Sequence, residues 1–145
     1  MAHCFGLVTV NSVFLPWHDL EVRSHGLAER CVGTQSLEMD VSAFMKAFTN
    51  KQAYAAVRAQ LVQLVQPLIA AGAEIVIPAG GLPMMLFARE APFMIDRVPV
   101  MNGISVVAEA VEMALALRDI TKVVVSRRGT YAKAPPAAIA QFLAR

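Results

Sequence analysis

Ile75-Val76-Ile77-Pro78-Ala79-Gly80-Gly81-Leu82-Pro83 decides the fold. A β-branched run enters this stretch, two glycines sit at its turn, and an apolar segment over 82–90 leaves it as a short helix. That pattern reads as a buried parallel strand carrying a loop to the carboxyl edge of a sheet, where open α/β folds bind ligands.

Upstream, Tyr54, Val57, Leu61, Leu64 or Val65, and Leu68 recur at three- and four-residue steps, predicting a helix over 51–71. Pro67 is expected to kink it or end its regular part early, and Gly72 closes it. Helix, glycine, buried strand, glycine turn and helix make a parallel βαβ signature. Cys4 to Val10 is predicted to be a second buried strand. A helix from Val13 to Ser24 follows it, with Ser12 as cap, Pro16 in the first turn and Gly26 as stop. Trp17, Leu20 and Val22 supply its apolar material, with His18, Asp19, Glu21 and Arg23 outward. A short strand is expected within 30–37, and residues 38–50 read as a loop with one helical turn. Val98-Pro99-Val100 is a further short strand. Asn102-Gly103 is a turn, and Ser105 caps a helix to Leu117 whose Val107, Ala110, Val111, Ala114 and Leu115 face inward. A last strand within 122–126, a basic loop from Arg127 to Lys133, and a helix starting at Pro135-Pro136 complete the chain.

The fold class is therefore α/β, with a mostly parallel sheet flanked by helices. Residues 1–118 form the lobe, and 119–145 a strand, basic loop and helix extending the same domain.

At 145 residues the chain can bury one real core, yet 57% of it is hydrophobic, 17% is charged and the mean hydropathy is +0.52. One small domain cannot comfortably hide that much apolar surface, so packing against a second copy or a missing domain is expected. A net charge of +2 gives no footprint for nucleic acid or anionic membrane. The most apolar stretch, 61–78, is interrupted by Gln63, Gln66, Pro67 and Glu74, so no membrane span is expected. The first residues lack the pattern of a signal peptide. Cys4 and Cys31 fit neither a disulfide framework nor metal spacing, and read as reduced, buried core residues of a cytoplasmic protein. His3, His18 and His25 form no metal-ligand pattern either, so no metal is expected.

Four features at strand ends can carry chemistry. Thr9-Val10-Asn11-Ser12 offers hydroxyls and an amide beside a helix N-terminus, suited to an anion or simply to capping. Pro78-Ala79-Gly80-Gly81 lets backbone amides approach a ligand, or serves only as a strand-to-helix turn. Asn102-Gly103-Ile104-Ser105 has the same ambiguity. Arg127 and Arg128, with Tyr131 and Lys133, can clamp a carboxylate or form a solvated loop. Thr9, Asn11, Ser12, Ala79, Gly80, Gly81, Asn102 and Gly103 are thus the candidate substrate-binding residues of one shared crevice.

Phe5-Gly6-Leu7-Val8-Thr9-Val10, then Ala71-Gly72-Ala73-Glu74-Ile75-Val76-Ile77-Pro78-Ala79-Gly80-Gly81-Leu82, then Val98-Pro99-Val100-Met101-Asn102-Gly103-Ile104, resemble in order and spacing the second half of the Asp/Glu/hydantoin racemase family. The resemblance spans roughly Cys4 to Leu117. It implies a cofactor-independent isomerase with two similar three-layer, flavodoxin-like α/β lobes and a substrate between them. It also implies one cysteine per lobe, a thiolate taking a proton from the substrate's α-carbon while the opposite thiol returns one. The turn after the first strand would hold the substrate carboxylate, which maps onto Thr9, Asn11 and Ser12. Two departures stand out: Ala79 occupies the position of the family's cysteine in a Gly-Cys-(Ala/Thr)-Gly motif, and the first lobe with its own cysteine is absent. Cys4 and Cys31 match neither catalytic position, so the catalytic residues are unassigned.

Two function classes follow. One is a cofactor-independent racemase of amino acids or hydantoins, truncated or partner-dependent, or a lyase/isomerase-type relative taking a cysteine from another lobe. The other is a non-catalytic module that binds small carboxylates or serves as an interaction partner.

Overall fold

The computed structural model of the chain describes residues 2–122, 128–129 and 132–144. They fall into two compact units, Met1–Ala108 and Glu109–Arg145.

The first unit is built on a parallel sheet of β1 (Phe5–Thr9), β2 (Cys31–Ser36) and β3 (Ile75–Pro78), in the order β2-β1-β3. Val100 adds a parallel bridge to Val76 on the outer side of β3. Side chains of a strand alternate between faces, and here the alternation sorts the core. Val8 and Val76 point to one face and join a cluster with Val57, Leu61, Val65 and Leu68. Phe5, Leu7 and Ala79 point to the other, against Val22, Leu27, Ile75 and Ile77. The α/β lobe with a parallel sheet flanked by helices is as expected.

The first face is covered by α3 (Lys51–Leu64) and α4 (Gln66–Ala70). Asn50 starts α3, its side chain accepting from the amides of Gln52 and Ala53 at 2.9 and 3.0 Å. The break falls at Val65, just ahead of Pro67, because proline has no amide for the preceding turn. Leu61 and Val65 are wholly buried and Leu68 is 2% exposed. Each such side chain contributes about 1.5–3 kcal/mol relative to exposure. Leu68 also explains Gly6: a Cβ there would lie 2.8 Å from the leucine Cδ1.

The second face carries α1 (Leu15–Ser24), entered through a 3₁₀ turn over Ser12–Phe14. Pro16 sits in its first turn, and Gly26 follows it at φ +67°. The cap is not Ser12. Asn11 accepts from the Val13 amide at 3.0 Å, and the Ser12 hydroxyl bonds Glu38 at 3.0 Å. Residues 38–50 contain more order than the sequence suggested, since Asp40 caps a six-residue helix, α2 (Val41–Lys46), that inserts Phe44 into the core.

After β3 come α5 (Gly81–Phe87) and an antiparallel pair, β4 (Met94–Ile95) and β5 (Val98–Pro99). Glu90, just past α5, accepts from the Tyr54 hydroxyl and from Arg58 Nε at 2.7 Å, tying α5 to α3. The Arg58 guanidinium lies 4.8 Å from the Phe93 ring centroid, and that of Arg89 lies 4.6 Å from the centroid of Tyr54.

α6 (Gly103–Thr121) begins in the first unit and continues into the second, which also contains α7 (Pro136–Leu143). Asn102, not Ser105, is the cap of α6, its side-chain oxygen accepting from the Ser105 amide at 3.1 Å. Val107 and Val111, expected inward, are 56% and 52% exposed. Periodicity marks which residues want a partner surface, not whether the chain itself supplies one. The strand expected within 122–126 and most of the basic loop lie outside the described residues. No described helix is long and apolar enough to cross a membrane. Cys4 and Cys31 are half-buried, and Cys31 packs against the Phe5–Leu7–Ala79 cluster with its Sγ 3.6 Å from the Gly33 carbonyl.

Candidate functional site at the carboxyl ends of β1 and β3

The parity that sends Phe5 and Leu7 toward α1 sends Thr9 the same way. Val8 pairs with Pro78, so continuing the register sets Thr9 beside Ala79 at the end of β3. The two strands separate into loops here, and a cleft of 240 Å³ opens among Thr9, His18, Val41, Ala79, Gly80 and Gly81. Phe14, Trp17, Leu82 and Pro83 complete walls that are almost wholly apolar.

Thr9 and His18 are the polar side chains of that lining, and both are buried, at 2% and 6% exposure. His18 Nε2 lies 3.1 Å from Thr9 Oγ1. Burial holds the His18 pKa below its ordinary value of 6.5, against the opposing pull of the Glu21 carboxylate. The ring is therefore neutral at neutral pH, with one nitrogen able to accept a proton. Trp17 shields it from the side, ring centroids 4.9 Å apart.

His18 was expected on the outer face of its helix. In α1, His18 and Val22, four residues apart, share the face turned to the sheet, which leaves Trp17 and Leu20 at 53% and 62% exposure.

Of the other candidates, Ala79, Gly80 and Gly81 join Thr9 in the lining. Gly80 has φ +97°, a conformation open to glycine and strained for other residues. The Ala79 amide, however, is not offered to a ligand: it donates to the Val8 carbonyl at 2.7 Å. Asn11 and Ser12 commit their side chains to the α1 entry and to Glu38, and neither lines the cleft. Asn102 caps α6, and Gly103 packs where a Cβ would collide with Met84 Sδ; neither reaches the cleft. Among the described residues no group of three His, Cys, Asp or Glu side chains is placed to hold a metal ion.

The same face of the sheet holds a larger hollow of 910 Å³, continuous in its lining with the cleft through Trp17, His18 and Ala79–Gly81. Its floor is Phe5, Leu7, Ile75 and Ile77, and its charged rim is Glu21 and Arg30.

No protein-family model matches the chain, and no curated protein does. Solved structures do. An allantoin racemase from Klebsiella pneumoniae superposes with a TM-score of 0.66 at 23% identity, over 92% of this chain and 50% of that one. An allantoin racemase from Pseudomonas fluorescens gives 0.57 at 22% identity, over 92% and 52%. The chain thus spans about half the length of the solved racemases it matches, and has the fold of a lobe of these proteins.

Proposed function

We propose that this chain is a lobe of a cofactor-independent racemase or isomerase acting at a chiral carbon next to a carboxyl or carbonyl group. The observation that carries this reading is the convergence of Thr9, His18 and Ala79–Gly81 on one cleft at the sheet's carboxyl edge. The racemase-lobe fold and the order of the matching segments support it. The ligand is a small carboxylate or a cyclic ureide such as a hydantoin or allantoin. Thr9 and the Ala79–Gly81 turn contact it, and a second lobe, from a longer chain or a partner, closes the site. No cofactor is invoked, because proton transfer at such a carbon needs only a base, an acid and stabilisation of enolate-like charge. The apolar hollow on the sheet and the exposed apolar residues of α6 are where a second copy or another lobe packs. The setting proposed is the cytoplasm.

The methyl of Ala79 favours a second reading. It can neither take nor give a proton, so the lobe on its own can be a binding module for small carboxylates. Optical rotation followed with aspartate, glutamate, a 5-substituted hydantoin, allantoin and an arylmalonate separates the two. Turnover by the pure chain or by its complex with a second lobe supports the isomerase. Binding of these compounds without turnover in either form leaves the module, and absence of both defeats the cleft itself.

A further inference from the structure

The 240 Å³ cleft poses an electrostatic problem for any anion that enters it. Among the described residues its lining contains no lysine or arginine, and its walls are largely Val10, Phe14, Val41 and Leu82. Moving an unpaired carboxylate into such surroundings is strongly unfavourable unless a counter-charge meets it. His18 is the one titratable side chain in that described lining.

Resting on the binding reading above, we propose that anion binding in this cleft takes up one proton from solvent onto His18, with Thr9 passing the new polarity to the ligand. In the empty cleft Nε2 lies 3.1 Å from Thr9 Oγ1, and with the ring proton on Nδ1 the Nε2 lone pair accepts from the Thr9 hydroxyl. Once the ring is protonated, both nitrogens are donors. Nε2–H then donates to Thr9 Oγ1, and the hydroxyl proton is free to turn toward a carboxylate oxygen in the cleft. No covalent bond to the ligand forms, and the balance is one solvent proton bound for one anion bound.

The groups around the ring fit this role. On α1, Glu21 favours the imidazolium and is itself 3.6 Å from His25, while Asp19 is paired with Arg23 at 2.7 Å. From β1 the facing group is the neutral Thr9, and the β3–α5 turn brings only Ala79, Gly80 and Gly81. Beside Val41, Asp40 is held by Ser42 at the start of α2. Arg30 borders the larger hollow rather than the cleft. Burial keeps the empty site uncharged, and the ligand's charge makes protonation favourable.

Malonate is the probe. Its affinity, measured by calorimetry at about pH 6, 7 and 8, should rise as pH falls, approaching about tenfold per pH unit above the pKa of the free ring. Buffers of different ionisation enthalpy should report uptake of about one proton per malonate. At neutral pH the side-chain 15N resonances of His18 should move from neutral to imidazolium values on addition of malonate. This readout uses the unaltered chain and does not depend on how a variant folds. His18→Gln should weaken binding and abolish the pH slope. Malonate binding that is independent of pH, takes up no proton and survives His18→Gln overturns the proposal and leaves the cleft intact as a binding site. Absence of malonate binding even at about pH 6 removes the carboxylate-binding reading, and this coupling falls with it.

Discussion

Thr9→Val tests whether the Thr9–His18 contact is a structural bond or an accident of packing. Valine matches threonine in shape and suits a strand, so the main loss is the hydroxyl. The variant removes the 3.1 Å partner of His18 Nε2 in a place where Thr9 is 2% and His18 6% exposed, leaving water little access to replace it. A net hydrogen bond is worth about 1 kcal/mol, and a stranded buried polar atom costs about 1–3 kcal/mol. The extra methyl returns up to about 0.8 kcal/mol. The expected loss is therefore about 1–2 kcal/mol, or about 3–6 °C in Tm for a chain of this size. Thermal unfolding followed by circular dichroism should be run at fixed protein concentration, since self-association shifts Tm by mass action. Thr9→Ser is the control. It loses a methyl but keeps the hydroxyl, so the ring 15N shifts of His18 should stay at their wild-type values in Thr9→Ser and move in Thr9→Val. A valine variant as stable as wild type, with the ring resonances unmoved, would refute the bond and with it the polar pair on which the cleft is built.

Three other outcomes follow from named contacts. The folded-state pKa of His18 lies below its ordinary 6.5, so the unfolded chain binds the extra proton first; stability should be full above that value and decline as pH falls through it, and His18→Gln should flatten this decline in urea midpoints measured between about pH 5 and 8. Burial pushes the Glu90 carboxyl up, but its bonds to Arg58 and Tyr54 outweigh this and hold it below its ordinary 4.5. Glu90→Gln should accordingly cost about 1 kcal/mol at neutral pH, the bond being worth less than a fully buried one because the Glu90 side chain is 26% exposed, and the difference should vanish as acid protonates the wild type. Sedimentation velocity should show concentration-dependent association of the wild type, reduced by Val107→Glu with Val111→Glu on α6, where both side chains are exposed and the fold has no need of them; a monomer at every concentration would show that these faces need a different chain.

What could be read from the sequence is what local chemistry settles. The alternation in β1 and β3, the stop before Pro67 and the glycine at φ +97° are each dictated within a few residues of the position concerned. The strand-end turn at Ala79–Gly81 was legible for the same reason, and the structure sets it in the lining of a cleft at the sheet's carboxyl edge. His18 was not legible, because α1 turns the His18–Val22 face to the sheet and leaves the more apolar Trp17 and Leu20 exposed. A histidine among Trp17, Asp19 and Glu21 looks like part of a polar face. α2 was read only as one helical turn in a loop because its apolar residues serve two surfaces, Phe44 entering the core while Val41 lines the cleft, which erases a clean period. The roles of Asn11 and Asn102 as caps are equally non-local in effect: capping and ligand binding ask for the same side chains, and only the observed partners at 3.0 and 3.1 Å separate them.

The absence of a thiol at Ala79 need not empty the site of acid–base chemistry. The sheet face that receives Ala79 also receives Thr9, and α1 lies over that face, so a proton-carrying group can reach the same cleft from the helix instead of from the strand end. His18 occupies that alternative position. On the isomerase reading proposed above, this imidazole, kept neutral by burial, would serve as the base on that side, exchanging its proton through the Thr9 hydroxyl. What His18 cannot do is act on both faces of a planar intermediate, because it approaches from the α1 side alone. A lobe of this kind can bind an anion and hold one proton next to it; inversion at a carbon requires a second group opposite. On the isomerase reading proposed above, this lobe would supply one side of a proton transfer and a second lobe the group opposite.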